Sequence, residues 1–245
     1  MNTKSSVEQI RARFDADVER FSNLETGQTA MVDSPLCMEL VTAASLAVTP
    51  NPKDLLDIGC GAGNYTLKLL EWLKIPRTLN CTLIDLSKPM LDRAVQRITP
   101  HTKGRVVPLQ GDMREIPLAD GSFDIVLAAS TLHHLRTDEE WQAMFGKIYR
   151  SLRPGGSFWV FDLIQHNNAG VEELLMQRYG DYLSSLKGGG PGGRSYRDHV
   201  FNYIAEEDTP RPVTYQIDVM RQVGFVDPDI LHKSVMGAAF GARKG

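Results

Sequence analysis

The sequence predicts an α/β fold built on a doubly wound, mostly parallel sheet of seven strands, and three observations carry that prediction. From residue 53 to residue 164, short apolar runs alternate with amphipathic stretches of helical period, a pattern that joins parallel strands through crossover helices. The run "LLDIGCGAGNYTLKLL" at 55–70 sets Gly59, Gly61 and Gly63 between an apolar run and a helix-period stretch, as at a strand that turns straight into a helix. The length of 245 residues suits one large α/β domain with its own core.

Residues 1–50 read as an N-terminal cap, helical over 7–48. Val7, Ile10, Phe14, Val18 and Phe21 recur at helical spacing, and "SPLCMELVTAASLAV" offers Ser34 as N-cap with Pro35 at the first helical position. "TPNP" at 49–52 punctuates. The core over 51–165 then reads "DLLDIG" as strand, "NYTLKLLEWLK" as helix, "NCTLIDL" as strand, "KPMLDRAVQRI" as helix capped by Ser87, "RVVPLQGD" and "FDIVLAAST" as strands, "DEEWQAMFGKIYRSL" as helix and "GGSFWVFDLI" as the fifth strand. After Ile164 the alternation stops. Residues 166–212 read as a lid insertion: a helix "AGVEELLMQRYGDYLSSLK", a mobile loop "GGGPGGRSYRD" and a second, polar helix. The end, 213–245, reads as a helix through "VMRQVGF" and two strands that pair antiparallel.

Composition excludes several classes. A hydrophobic fraction of 42% and a charged fraction of 23% are those of a globular domain. No apolar run reaches bilayer length and the opening stretch lacks a signal-like apolar core, so the expectation is a cytoplasmic protein with no membrane partner. Cys37, Cys60 and Cys81 are widely spaced, which suggests neither disulfides nor a zinc motif, and no metal is expected. A net charge of −3 disfavours nucleic acid and favours a small-molecule partner; a homodimer is left open.

The glycine spacing is G-x-G-x-G, with Asn64 where a dinucleotide fingerprint needs its third glycine. Asp57 lies two residues before the first glycine, where a carboxylate can face an amino group. Asp85 ends the next strand, where it can accept hydrogen bonds from both ribose hydroxyls. Asp112 and Met113 follow the third strand; the first can accept from an exocyclic amine and the second can pack on a purine face.

The stretches "LLDIGCGAG", "LIDLSKPML", "GDMREIPLADGSFDIV", "STLHHL" and "LRPGGSFWV", in that order, resemble the class I S-adenosylmethionine-dependent methyltransferases. The resemblance covers about residues 10–164, plus the C-terminal helix and hairpin. It implies a Rossmann-like fold and S-adenosyl-L-methionine as cofactor. By position it implies Asp57, Gly59, Gly61 and Ala62 around the methionine part, Asp85 and Leu86 on ribose and adenine, Asp112 and Met113 on adenine, and Ala129 and Ser130 near the sulfonium. The expected activity is methyl transfer to an O, N or S atom of a small molecule.

Acceptor-side residues are less legible. His133 and His134 follow the fourth strand, and one could act as general base, or the pair only packs or caps. Asp162 ends the fifth strand and is expected at the same cleft edge, or in solvent. Tyr179, Tyr182, Arg194, Tyr196 and Arg197 sit in the lid region, and Phe14 and Phe21 could close over the cofactor. The tail "YRDHVFNYIAEED" also looks like the carboxy-S-adenosylmethionine synthases, with Arg197 five residues before Asn202 to meet a carboxylated methyl group, although Ala129 stands where that group has a polar residue. A nicotinamide oxidoreductase lacks both the third glycine and a Y-x-x-x-K pair; a silent nucleoside-binding module is a further reading. "GGGPGGRS" at 188–195 nearly spells a phosphate loop but follows no strand.

Overall fold

The computed structural model describes residues 4–23, 29–73 and 78–245. The chain runs α1 (Val7–Ala16), α2 (Val18–Ser22), α3 (Ser34–Val48), β1 (Asp54–Ile58), α4 (Asn64–Trp72), β2 (Asn80–Asp85), α5 (Lys88–Ile98), β3 (Val106–Gln110), β4 (Phe123–Ala129), α6 (Asp138–Ser151), β5 (Leu152–Leu163), α7 (Ala169–Ser185), α8 (Gly190–Glu207), α9 (Val213–Val223), β6 (Phe225–Ser234) and β7 (Gly237–Lys244). The parts of the expected helices at 24–28 and at Lys74 lie outside the described residues.

Seven strands form one sheet in the order β3-β2-β1-β4-β5-β7-β6. The first five are parallel, and β7 runs antiparallel to both β5 and β6. This is the expected fold class. Because side chains alternate across a strand, β1 feeds two cores: Leu55 joins Val41, Leu69 and Leu91 on the α3–α4–α5 face, while Leu56 and Ile58 join Trp141, Phe145 and Met220 on the α6–α9 face. Each such buried side chain stabilises the fold by about 1.5–3 kcal/mol. Cys37, Cys60 and Cys81 are all buried free thiols. Among the described residues no helix is long and apolar enough to cross a membrane.

Three local expectations are corrected. The N-cap of α3 is Asp33, in the left-handed conformation at φ 57°, and Ser34 is already helical. β5 begins at Leu152, because a register shift between Phe123 and Ile125 takes the "RPGG" segment into the strand. The stretch "GPGGRSYRD" is not a mobile loop but the first half of α8, with Pro191 in the first helical turn where its missing N–H removes no bond. Gly188, Gly189 and Gly190, at φ 72°, 69° and 62°, make the turn from α7. A Cβ on Gly193 would lie 2.3 Å from the Ser184 carbonyl oxygen, so this glycine permits close packing. The α7–α8 pair closes over a third cluster of Leu163, Tyr179, Leu183, Val200 and Met236.

Candidate functional site

Strand order reverses between β1 and β4, and the crevice beyond their carboxyl ends is where open α/β sheets hold ligands. The three glycines at the mouth of β1 all take positive φ, 65°, 51° and 82°, yet for different reasons. A Cβ on Gly59 would lie 2.3 Å from Thr131 Oγ1 and one on Gly63 would lie 2.7 Å from Ile98 Cδ1, so both are fixed by neighbouring side chains. Among the described residues, a Cβ on Gly61 would meet nothing within 4 Å. It would project into a chamber also lined by Phe14, Phe21, Asp57, Ala62, Asp85, Leu86, Ala129, Ser130 and His134. A second chamber shares Gly59, Asp85, Leu86, Thr131 and His134 with the first and adds Asp112 and Met113. The sequence-derived cofactor residues thus converge on one continuous cleft, with Phe14 and Phe21 at its wall.

Two carboxyls dominate the electrostatics. Asp57 is buried and accepts a hydrogen bond from Thr66 Oγ1 at 2.7 Å; burial, aided by Asp85, pushes it up to about 7. Asp85 accepts from the backbone N–H groups of Gly61 at 2.8 Å and Ser87 at 2.9 Å, yet burial still raises it to about 6. Ser87 also caps α5, leaving Asp85 free of that task as the sequence suggested. Hydrogen bonds or positive charge from a ligand favour the carboxylate forms, so binding must expel their protons at low pH. Affinity for S-adenosylmethionine is therefore expected to fall as pH drops from about 7 through about 6, by up to about tenfold per unit for each group below its pKa. Without ligand the sign reverses: these raised pKa values make folding favour the protonated forms, so their contribution is fully present below the ordinary value of 3.8 and is lost as pH rises from there through about 6 for Asp85 and about 7 for Asp57. Calorimetry across that range, with Asp85→Asn flattening part of the slope, tests both statements.

Asp112 is a fixed anion. Arg114 donates to both of its carboxylate oxygens through Nε, at 2.9 Å and 3.1 Å, and pairs with Glu140 at 2.9 Å. Against its partial burial, these bonds hold Asp112 below the usual carboxylate range. Lys147, not anticipated from the sequence, donates to the carbonyl of Met113 at 2.8 Å and fixes this loop.

The end of β4 carries the acceptor-side groups. Ser130 takes φ 52°, rare for a side-chain-bearing residue, and its hydroxyl is buried with no hydrogen-bond partner among the described residues. His134 faces the cleft, while His133 turns inward onto Asp162. Asp162 is not at the cleft edge as expected: it is fully buried and accepts from Leu132 N at 2.7 Å, from His133 N at 3.2 Å and from the His133 ring through Nδ1. Burial alone would lower His133, but Asp162 and Asp208 reverse this and carry it up to about 9. Burial and the neighbouring His133 push His134 down. Asp208, 3% exposed, lies beside both rings. In the sequence it stands only as the last residue of the tail "YRDHVFNYIAEED", where nothing marks it as a partner of the histidines.

A third chamber joins the first through Phe14, Phe21, Ser130 and His134 and is completed by Arg13, Arg20, Met31, His133 and Tyr203. Of the expected lid, it is the C-terminal end of α8 that reaches the cleft. Arg197 is not among the residues lining these chambers; it pairs with its neighbour Asp198 at 2.7 Å. Tyr179 packs in the α7–α8 cluster instead.

Residues 55–156 match the family described as "Methyltransferase domain". The chain is 34% identical over 120 residues to 27-O-demethylrifamycin SV methyltransferase of Amycolatopsis mediterranei, covering 48% of this chain and 42% of that protein. It is 29% identical over 140 residues to carboxy-S-adenosyl-L-methionine synthase of Shewanella loihica, covering 57% of this chain and 56% of that protein. Among solved structures, human N-acetylserotonin methyltransferase in complex with SAM superimposes with a TM-score of 0.62 at 19% identity, covering 98% of this chain and 59% of that one, a likeness of fold. The chain spans about half the length of several curated relatives it matches, 49%, 56% and 48% in three cases.

Proposed function

We infer that this chain, a class I S-adenosylmethionine-dependent methyltransferase by its 55–156 core, transfers a methyl group to an O, N or S atom of a small molecule. The observation that carries the reading is the space beside Gly61, bounded by the buried carboxyl of Asp57 and the half-buried carboxyl of Asp85 at the ends of β1 and β2. A backbone without side chain, an anion for an ammonium group and an anion for ribose hydroxyls suit S-adenosylmethionine, and the missing third fingerprint glycine agrees with a ligand lacking a pyrophosphate. When bound, this cofactor supplies an electrophilic methyl group on a sulfonium and leaves as S-adenosylhomocysteine.

The chain's own contribution is alignment and exclusion of water. Asp57 would hold the ammonium group and Asp85 the ribose hydroxyls, and Leu86 and Met113 would flank the base. Phe14 and Phe21 wall the chamber from solvent, and Ser130 and His134 stand where the cofactor and third chambers meet. That third chamber, enclosed by α2 and the end of α8, supports a small acceptor over a polymer.

A second reading, the carboxy-S-adenosylmethionine synthase, draws support from relatives of that name at 29% and 32% identity. The pairing of Arg197 with Asp198 weighs against the residue expected to serve it. Mass spectrometry of the ligand carried through purification separates the two. S-adenosylmethionine or S-adenosylhomocysteine supports methyl transfer, a carboxymethyl species supports the second reading, and a nicotinamide species overturns both.

A further inference from the structure

We propose that His133, His134 and Asp208 form a binding site for one divalent transition-metal ion of the zinc class, set between the cofactor chamber and the third chamber. One ligand-capable atom from each residue lies within 4.8 Å of the others. His133 and Asp208 are 7% and 3% exposed, so the donors stand in a medium that penalises unpaired charge.

The polar atoms of this trio are suited to a shared cation. Both carboxylate oxygens of Asp208 and both ring nitrogens of His134 are buried without a hydrogen-bond partner among the described residues. Of the cations near Asp208, the guanidinium of Arg13 is taken up by Glu207, the ammonium of Lys4 bonds the backbone carbonyls of Ala205 and Asp208 rather than the carboxylate, and Arg136 donates through Nη2 to the Ser5 carbonyl at 3.1 Å while its Nη1 makes no hydrogen bond among the described residues. Among the described residues, the ion-pair partners of the Asp208 carboxylate are the two imidazoles.

Distances decide between a shared proton and a shared metal. His133 Nε2 is 3.6 Å from Asp208 Oδ1, too long for a hydrogen bond, and His134 Nδ1 is 3.3 Å from the same oxygen but not aligned for one. Ligands at about 2.0–2.1 Å from a tetrahedral ion stand about 3.3 Å from one another. The two His–Asp separations are close to that spacing, and the two histidine ligand atoms lie within 4.8 Å of each other, so a small closing movement of the imidazoles completes the set.

The support is that of a metal site. Asp162 holds His133 through Nδ1 and leaves Nε2 turned to Asp208, the carboxylate–histidine arrangement that orients a ligand and raises its basicity. The Thr209 N–H donates to the His133 carbonyl at 2.7 Å, which ties the ligand-bearing segments together although they are distant in sequence. Two imidazoles and one carboxylate suit zinc, cobalt or iron(II) rather than magnesium or calcium. Three protein ligands leave a fourth position open, and the third chamber, lined by both histidines, Ser130 and Tyr203, is where an oxygen of water or of an acceptor would complete the sphere.

The test uses the intact chain, titrated with Co2+ and followed by its tetrahedral d–d absorption, then with Zn2+ by equilibrium dialysis, with no cofactor and no turnover. One ion per chain is expected. Asp208→Ala and His134→Gln are each expected to lose at least a hundredfold in affinity, and Asp162→Asn, acting through His133, about 10–100-fold. Asp227→Asn, which removes a surface pair with Arg243, should bind as the parent does. Should Asp208→Ala fail to fold, as judged by its melting curve, His134→Gln carries the test. Sub-stoichiometric binding, or binding unchanged in folded His134→Gln and Asp208→Ala, overturns the proposal. S-adenosylmethionine affinity measured separately keeps the readings apart: failure to bind it would remove the methyltransferase reading and leave the metal site standing.

Discussion

Gly61→Val is expected to lose S-adenosylmethionine binding by at least about a hundredfold while the protein keeps its sheet. Holding a β-branched residue at φ 51° costs about 1–3 kcal/mol, a fraction of the ~5–15 kcal/mol that stabilises a domain. Among the described residues no neighbour opposes the side chain, because a Cβ here meets nothing within 4 Å, and Gly61 lines the cleft that the isopropyl group would occupy. Gly59→Val is the contrasting case: its Cβ would lie 2.3 Å from Thr131 Oγ1 and 2.5 Å from Thr131 Cβ, and the turn itself must shift. Titration calorimetry paired with thermal melting separates them, since Gly61→Val should lose affinity with a modest fall in melting temperature and Gly59→Val should lose both. Parent-like affinity in a folded Gly61→Val protein would show that the space beside Gly61 is not the cofactor's.

What the sequence made legible is what periodicity and strand-end chemistry encode. Leu55, Leu56 and Ile58 announce a strand buried on both faces, and Ser87 followed by Lys88 and Pro89 announces a helix start. Asp57 and Asp85 are readable because an acid at a strand end beside glycines has few structural excuses. The α7–α8 region was misread because small residues carry two signals. Glycine and proline before a polar stretch look like a linker, yet Pro191 fits the first turn of a helix and Gly193 lets that helix approach Ser184. Asp208 was illegible for another reason. Nothing in its tail marks it as a partner of the histidines, and only the tertiary approach of the α8 C-terminus to the end of β4 brings it beside His133 and His134. Asp162 shows the converse: its place at a strand end suggested the cleft, but β5 is covered at that point by the loop the carboxylate itself organises.

That last arrangement sets the largest stability effect expected. Asp162→Ala should destabilise the protein by about 3–5 kcal/mol, the range for removing one partner of a buried charged pair. The carboxylate is 0% exposed and accepts from four donors: Leu132 N, His133 N, the His133 ring and Leu163 N. Truncation leaves these donors without an acceptor in a site closed to water, and each buried unsatisfied donor costs about 1–3 kcal/mol if nothing relaxes. For a chain of this length the corresponding fall in melting temperature is on the order of 10 °C. Asp162→Asn keeps one acceptor oxygen and should fall between parent and Asp162→Ala. A group acting on substrate would behave differently, lowering turnover while leaving the melting curve in place. Differential scanning calorimetry of the three proteins therefore decides the role: equal melting temperatures would show that the loop from Leu132 to His134 does not depend on Asp162, and would return this carboxylate to the cleft where its sequence position first suggested it.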